Sequence, residues 1–368
     1  MNILLLNQGH TDNLGDKAIL EVMQWILCEK GNVVISRPFI AYESPSHIVC
    51  GNETGLSRKS EKLDTGTVSL KQRANSLIGR LLPNAIVYII KEKKAIRKIL
   101  KQGIKIDAVI IGGGELLKSR HQFTYAFLVW TYYLKRLYKC PIAIWGISGD
   151  DHFSLLDKAI YRYVLKNSCY VGVRDKKTVR TIETIFGRKP EYAPDVVFKL
   201  QTLYPTINGK KNNSVICFLN SFEEVDTVFT SEEEYFEKFS RKIPKSASKI
   251  EIAFTTQTDY YEAVKLADYL KKNTQYSQMN ICVGTTTTVK MLIAAINGSD
   301  VVISGRMHPM IIGLQLHKTV IPFTVKQKIA VFETEWKNTI VDHRITGQID
   351  YQMHQMLLTL RKVDPRED

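Results

Sequence analysis

The sequence predicts an α/β protein with two doubly wound, Rossmann-like domains that face each other across a cleft. Its 368 residues exceed what one hydrophobic core usually supports. Short β-branched or aliphatic runs alternate with longer segments of helical period, which is typical of a parallel sheet covered by helices. This alternation stops once, in a polar stretch that contains Pro205 and Gly209, and then starts again. We therefore predict a linker at residues 201–213.

The first predicted domain covers residues 1–200. The segment 17–29 carries apolar residues at helical spacing and is followed by Gly31, so it predicts a helix, and 125–138 has the same pattern. Four aliphatic runs are predicted to be strands: 2–7, 106–111, 141–145 and 169–173.

The second predicted domain covers residues 214–345. Because ligands of such folds bind beyond the carboxyl ends of the strands, the strand ends are where functional residues are expected. A C-terminal helical segment, 346–368, follows and can cross back to the first domain. The predicted strands are 215–219, 250–255, 280–283, 300–304 and 320–323, and the predicted helices are 260–270, 289–296 and 309–316.

The positive charge is concentrated in one region. The chain carries a formal net charge of +14, and residues 57–105 hold thirteen Lys/Arg against three Asp/Glu, which is +10. Apolar residues such as Leu77 and Leu81 interleave with these cations, which suits a membrane-surface element attracted to anionic lipid headgroups. A solvated basic helix and loop explains the charge equally well. The sequence contains no recognisable nucleic-acid motif, so we expect no nucleic-acid partner. It also contains no apolar run of about 20 residues, so we expect a cytoplasmic protein. If the basic region is a membrane-surface element, the protein is peripheral to the inner face of the membrane.

Two motifs follow predicted strands of the first domain. Asn13-Leu14-Gly15-Asp16 opens the first helix, so its backbone N–H groups could face an anion, although Asn13 or Asp16 could equally cap the helix. Gly112-Gly113-Gly114-Glu115 indicates a close approach of the backbone to a ligand or to a neighbouring element. Glu115 is placed to accept a proton from a sugar hydroxyl, and an exposed structural glutamate is the alternative.

The strongest local motif lies at 301–309. A buried strand breaks at Gly305, and Pro309 suits the first turn of a helix, so Arg306 and His308 are predicted in the turn that leads into the helix. A guanidinium at a helix N-terminus forms an anion site, and His308 could act there as a general acid or be a packed histidine bonded to a carbonyl. Lys326 and Lys328 follow the last strand and could add a cation.

Several common chemistries lack their signatures in this sequence. We find no Asp-x-Asp of metal-dependent sugar-nucleotide transferases, no Walker loop, no nucleophile elbow and no His-Glu-x-x-His. The six cysteines lie far apart, which predicts buried thiols and no cysteine-ligated metal. No metal or cofactor is expected.

The order of these motifs resembles that of one family. N-x-G-D at 13–16, G-G-G at 112–114, V-R-D at 173–175, A-P-D at 193–195 and R-x-H at 306–308 together resemble the polysaccharide pyruvyl transferase family over nearly the whole chain. The resemblance implies a GT-B-like fold. It also implies that phosphoenolpyruvate, as co-substrate, gives its pyruvyl group to a sugar of a cell-surface glycan precursor, which forms a pyruvate ketal. The precursor is either free or lipid-linked.

The resemblance also implies roles for individual residues. The family's donor-binding residues match Arg174, Arg306 and Lys328, with Lys326 as a rival for the lysine, and its histidine matches His308 as general acid. The acceptor side takes Asn13, Gly15, Asp16, Gly113, Gly114 and Glu115, with Asp16 or Glu115 as the base. One departure is Lys17, which follows the G-D pair where many relatives have an acidic residue.

Two other functions are compatible with the sequence. A nucleotide-sugar glycosyltransferase of the GT-B type would share the architecture, and a noncatalytic anion-binding or glycan-binding protein would share the anion site. The pairing of Arg306 with His308 favours an enzyme over the second.

Overall fold

The structure of the chain is a computed structural model that describes residues 1–41, 84–101, 103, 105–206, 213–336 and 339–363. By their internal contacts these residues form two compact units. The first unit comprises Met1–Gln8, Gln24–Tyr192 and the C-terminal segment from Gln352. The second unit comprises Gly9–Met23 and Ala193–Tyr351.

The first unit is built on a parallel six-stranded sheet in the order β2-β1-β3-β4-β5-β6. Four of these strands occur where aliphatic runs predict them. The two others, β2 and β6, were not predicted, because one ends in Arg37 and Pro38 and the other has two residues. The strands are β1 (Asn2–Asn7), β2 (Val33–Pro38), β3 (Ala108–Leu117), β4 (Ile142–Gly149), β5 (Tyr170–Val173) and β6 (Glu191–Tyr192).

Helices cover this sheet and bury large aromatic side chains against it. Trp130, Trp145 and Tyr161 are fully buried, and burial of each such side chain contributes roughly 2 kcal/mol to stability. The helix α1 begins in the second unit and ends in the first. The helices up to the end of this sheet are α1 (Leu14–Glu29), α2 (Asn84–Leu100), α3 (Gln122–Leu137), α4 (Leu155–Lys166) and α5 (Lys176–Phe186).

The second unit contains a parallel five-stranded sheet in the order β11-β10-β7-β8-β9. The chain runs outward from β7 through β8 to β9 and then returns to β10 on the other side of β7. The carboxyl ends of β7 and β10 therefore border the switch point, where ligands of open α/β sheets bind. The strands are β7 (Ser214–Phe218), β8 (Lys249–Ala253), β9 (Asn280–Val283), β10 (Val301–Ser304) and β11 (Thr319–Pro322).

The remaining helices lie between or after the strands of the second sheet, except α6, which precedes β7. The last helix, α12, passes from the second unit into the first, where Trp145 Nε1 donates a hydrogen bond of 2.8 Å to Gln352 Oε1. Among the described residues, no helix has the length and apolar character needed to span a membrane. These helices are α6 (Leu200–Leu203), α7 (Glu232–Ser240), α8 (Gln257–Lys272), α9 (Val289–Asn297), α10 (Met307–Gln315), α11 (Gln327–Trp336) and α12 (His343–Lys362).

The segment Gly9–Met23 belongs to the second unit although it follows the first strand of the chain. The Leu14 amide donates to the Thr255 carbonyl at 2.9 Å, and the Gln257 amide donates to Asp12 Oδ2 at 3.0 Å. The predicted domain 1–200 includes this segment, whereas these contacts place the N-x-G-D motif beside the strand ends of the second sheet.

Candidate active site

Arg306 lies directly after β10, at the switch point of the second sheet. The Ser304 hydroxyl accepts a hydrogen bond from the Arg306 amide at 2.9 Å and donates to the Arg306 carbonyl at 2.7 Å. Arg306 is the extended N-cap residue of α10, which begins at Met307. His308 therefore lies in the first turn of the helix, whereas the sequence predicted it in the turn that precedes the helix.

Two carboxylates of the same unit hold the Arg306 guanidinium. Arg306 Nε donates to Asp259 Oδ2 at 3.1 Å, and Nη2 donates to the other oxygen of the same carboxylate. Glu224 is bound bidentately, with Nη2 to Oε1 at 2.7 Å and Nη1 to Oε2 at 3.0 Å. Both anions on the guanidinium in this structure are thus side chains of the chain itself.

Lys326 adds a second cation to this cluster, because its ammonium donates to Glu224 Oε2. Burial raises the pKa of the Glu224 carboxyl, but Arg306 and Lys326 outweigh it and lower that pKa to about 2. Burial lowers the pKa of Arg306, whereas Asp259 and Glu224 outweigh burial and raise it. Two cations and two carboxylates give these four side chains a net charge near zero.

The His308 ring lies between Gly15 and Asp195, all within the second unit. A Cβ atom at Gly15 would stand 2.0 Å from His308 Nδ1, so only a glycine leaves room for the ring. His308 Nε2 is 3.8 Å from Asp195 Oδ2 and has no hydrogen-bond partner among the described residues. The N-x-G-D, A-P-D and R-x-H motifs, far apart in sequence, therefore meet at this imidazole.

Asp195 has two functions in this arrangement. Its Oδ1 accepts a hydrogen bond of 2.9 Å from the Val197 amide and so caps the short 3₁₀ helix Val196–Lys199. Its Oδ2 faces His308, and the residue is only 5% exposed. A buried carboxylate fixed by a backbone amide can orient an imidazole, as the third member of a catalytic triad does.

Asn13 caps α1. Helix capping was one of the two functions predicted for this motif, and anion binding by its backbone N–H groups was the other. Its Oδ1 accepts a hydrogen bond of 2.9 Å from the Gly15 amide, and its carbonyl accepts one of 3.0 Å from Lys17. Asp16 lies half-buried in the first turn of α1. The cap holds the backbone at Gly15 in position against His308.

The G-G-G motif belongs to β3 of the first unit, which continues past it to Leu117 instead of ending at residue 111 as predicted. A Cβ at Gly112 would meet the Trp145 carbonyl oxygen of β4 at 1.9 Å, and Gly113 and Gly114 have φ values of 73° and 101°. Backbone conformation and the close approach of the neighbouring strand therefore account for the three glycines.

Glu115, the second candidate base, forms an ion pair in the first unit. Lys118 Nζ donates to Glu115 Oε1 at 2.5 Å and to Asp150 Oδ1 at 3.3 Å. Burial lowers the pKa of the Lys118 ammonium, but the two carboxylates outweigh it and raise that pKa. The three side chains form a polar group at the carboxyl ends of β3 and β4.

Arg174 follows β5 of the first unit and is 8% exposed. Its Nε donates to the Ser148 hydroxyl at 3.0 Å, which fixes the guanidinium near the end of β4. Asp175 caps α5 through a 2.7 Å hydrogen bond from the Thr178 amide, as the V-R-D motif predicts. Arg174 is thus held at a strand end.

The predicted site residues divide between the two units. The second unit holds Asn13, Gly15, Asp16, Arg306, His308, Lys326 and Lys328, and the first holds Gly113, Gly114, Glu115 and Arg174. Of the two rival lysines, Lys326 contacts the Arg306 cluster, and Lys328 lies half-buried in the first turn of α11.

Sequence reasoning missed four charged residues of these groups: Asp195, Glu224, Asp259 and Lys118. For Asp195 a signal existed, since its A-P-D motif was recognised, but no role was assigned to its carboxylate. Asp259 lies in the first turn of a helix that follows a strand, which is a weaker signal. Glu224 and Lys118 lie in short connections without periodicity, and no pattern in the sequence distinguishes them.

We expect Asp259→Asn to weaken both the fold and anion binding. Asp259 is 1% exposed, and its loss of charge leaves a nearly buried guanidinium with one carboxylate instead of two. Breaking such a pair costs about 3 kcal/mol of unfolding free energy, which urea denaturation measures. An unchanged unfolding free energy would show that Asp259 does not fix Arg306.

One family matches most of the chain. The family model described as polysaccharide pyruvyl transferase matches residues 13–327. The matched range includes the motifs around Gly15, Arg174, Asp195 and Arg306, together with Lys326. No curated protein sequence matches the chain significantly.

Solved structures match over nearly the whole length of the chain. A UDP-GlcNAc 2-epimerase from Neisseria meningitidis with bound UDP-GlcNAc has a TM-score of 0.51 at 11% identity, over 99% of this chain and 94% of that chain. A UDP complex of MnaA from S. aureus has a TM-score of 0.50 at 9% identity, over 99% of this chain and 91% of that chain. At these identities the likeness shows the fold alone, two parallel-sheet α/β domains of the GT-B-like class, as the sequence predicts.

Proposed function

The chain belongs to the polysaccharide pyruvyl transferase family, and on that premise we propose that it transfers the pyruvyl group of phosphoenolpyruvate to a sugar of a cell-surface glycan precursor, forming a pyruvate ketal. The observation that supports the proposal is the grouping of His308 with Asp195 in the same unit as the two cations Arg306 and Lys326.

Donor binding follows from the charges. Phosphoenolpyruvate has a carboxylate and a phosphate, and a guanidinium with a neighbouring ammonium can neutralise and orient such groups. Arg306 and Lys326 supply these cations in the second unit. Lys328 and Arg174 are further donor ligands that the family resemblance implies. Each is tested by the donor affinity of its alanine variant.

Proton transfer is assigned to His308. A proton from the imidazole to the methylene carbon of phosphoenolpyruvate makes C2 electrophilic, and one sugar hydroxyl adds to it. A second hydroxyl then attacks C2, the bond from C2 to the phosphate oxygen breaks, and inorganic phosphate leaves as the ketal closes. Asp195 Oδ2 lies 3.8 Å from Nε2, so it would orient the ring only once the two groups close to hydrogen-bond distance in the donor complex. Asp16 and Glu115 remain the candidate bases for the sugar hydroxyl.

Calorimetry separates this function from its rivals. We expect phosphoenolpyruvate to bind, Arg306→Ala to weaken that binding, and UDP-GlcNAc to produce no heat of binding. Binding of UDP-GlcNAc without phosphoenolpyruvate would favour a nucleotide-sugar glycosyltransferase. Binding of phosphoenolpyruvate without turnover on any sugar would favour a noncatalytic protein.

The basic helix α2 supports an accompanying proposal, contact with an anionic membrane where a lipid-linked acceptor would reside. On this helix the apolar Ile86 and Ile90 are 42% and 52% exposed, and Lys94 and Lys98 are exposed as well. Residues 57–83 of the predicted basic region lie outside the described residues. Exposed apolar and cationic side chains on one helix suit the surface of an anionic bilayer.

We expect the protein to sediment with vesicles containing phosphatidylserine at low salt and not with neutral vesicles. Because each lysine near such a surface contributes about 1 kcal/mol, Lys94→Glu combined with Lys98→Glu should weaken sedimentation at least tenfold. Lys290→Glu, at an exposed position of α9, is the matched control. Equal sedimentation of both variants would remove α2 from membrane contact.

A further inference from the structure

Glu224 occupies the position on Arg306 and Lys326 that a bound anion would take. It ends the 3₁₀ helix Phe222–Glu224, which follows β7 at the switch point. One of its oxygens accepts from Arg306 Nη1 and from Lys326, and the other accepts from Arg306 Nη2. A carboxylate bound in this bidentate way reproduces the geometry of a carboxylate or phosphate ligand.

The two carboxylates on Arg306 differ in how firmly they are built in. Asp259 is 1% exposed and also accepts a 3.0 Å hydrogen bond from the Thr255 hydroxyl, so it is a permanent partner of the guanidinium. The Glu224 side chain is 32% exposed, and beyond the two cations it accepts a long hydrogen bond of 3.3 Å from Asn220 Nδ2. An incoming anion can therefore replace Glu224 without unfolding its surroundings, whereas Asp259 cannot leave.

We propose that Glu224 competes, as an internal carboxylate, with the donor for Arg306 and Lys326 and so sets how tightly anions bind there. This inference rests on the proposed function for the identity of the donor and on the observed contacts for the competition. While Glu224 is in place, the cluster is close to neutral and attracts anions weakly. When Glu224 moves out, the cluster gains one positive charge and frees two guanidinium donors.

Competition of this kind selects for ligands with two anionic groups. A ligand with one anionic group exchanges one anion for another and gains little. A donor that carries both a carboxylate and a phosphate makes further contacts and recovers the free energy lost when Glu224 leaves. The internal carboxylate thus raises the binding threshold for both ligands, and inorganic phosphate, which recovers the least free energy, is held weakly and can leave the site as product.

Protonation does not control this exchange at ordinary pH. Burial raises the pKa of Glu224, but Arg306 and Lys326 outweigh it and lower the pKa to about 2, below the ordinary glutamate value of 4.5. The stabilisation from these contacts is therefore complete above pH 4.5 and is lost only as the pH falls toward 2. Displacement by the ligand is what opens the site.

The test compares anion affinities of Glu224→Gln with those of the unchanged protein by calorimetry, using inorganic phosphate and phosphoenolpyruvate as separate probes. Gln is nearly isosteric but carries no charge, so inorganic phosphate should bind about tenfold more tightly to the variant. Phosphoenolpyruvate displaces the same carboxylate, so its affinity should rise by a similar factor and the ratio of the two affinities should stay nearly unchanged. Glu223→Gln, which removes the neighbouring exposed charge from the same 3₁₀ helix, should change neither affinity.

The opposite sign identifies a structural role. If Glu224 only holds Arg306 in place, phosphate will bind more weakly to Glu224→Gln, and the proposal is overturned. Glu224→Asp, which keeps the charge but has a shorter reach, provides a second variant, and it should also bind phosphate more tightly. Failure of phosphoenolpyruvate to bind or turn over in any variant would refute the donor assignment, while a tenfold gain for phosphate would still uphold the competition by Glu224.

Discussion

His308→Asn is expected to lower turnover by roughly two to four orders of magnitude while it changes donor affinity little. The imidazole is the group assigned to protonate the methylene carbon, and an amide cannot donate a proton in this way. Arg306 and Lys326, the proposed donor-binding cations, contact Glu224 and not the ring, so donor binding should persist. Single-turnover kinetics and calorimetry measure the two effects separately.

A matched control for this variant exists in the same unit. His317 is exposed and has a φ of 54°, a left-handed conformation that asparagine tolerates well. His317→Asn should therefore keep full turnover and the same melting temperature. If His308→Asn retains near-normal turnover, the imidazole is a packing residue and another group supplies the proton.

Gly15→Ala should lower turnover roughly a hundredfold. The substitution adds only one methyl group, at a position far in sequence from Arg306 and Lys326. The new Cβ would stand 2.0 Å from His308 Nδ1, so the ring must rotate or move away from the backbone. Displacement by about 1 Å is enough for such a loss when a catalytic group must meet its substrate in a defined geometry. Measured kcat should fall more than donor affinity.

Gly347→Ala provides the comparison for Gly15→Ala. Gly347 lies within α12, has nothing near the position of an added Cβ, and should gain slight stability on substitution. Its kcat should equal that of the unchanged protein. A Gly15→Ala variant that is folded and fully active would show that the ring has room to adjust and that Gly15 does not position His308.

Local chemistry explains which parts of this structure the sequence predicted. Most strands of the two sheets are short, largely buried aliphatic runs, so their hydrophobic pattern identifies them, whereas β2 and β6 were not predicted. The cap at Asn13 was predicted because a cap depends on residues that are adjacent in sequence. Arg306 and His308 were recognised because a strand end, a glycine and a proline occur together.

Contacts between distant segments explain what the sequence did not predict. Asp259 and Arg306 are 47 residues apart, and the carboxylates around Arg306 became apparent only in the folded unit. The sequence suggested that the Arg306 guanidinium binds an external anion, whereas in the structure it binds the carboxylates of Glu224 and Asp259. The placement of segment 9–23 in the second unit likewise depends on backbone hydrogen bonds to residues near 255, for which periodicity gives no signal.

The most direct test of the central claim is the reaction itself. The protein is incubated with phosphoenolpyruvate and a panel of methyl hexosides that have two free neighbouring hydroxyl groups, and both phosphate release and acceptor mass are recorded. We predict phosphate release only with an acceptor, a gain in acceptor mass of one pyruvic acid less one water, and no reaction when the two hydroxyl groups are methylated. Phosphate release that is independent of any sugar would contradict the account.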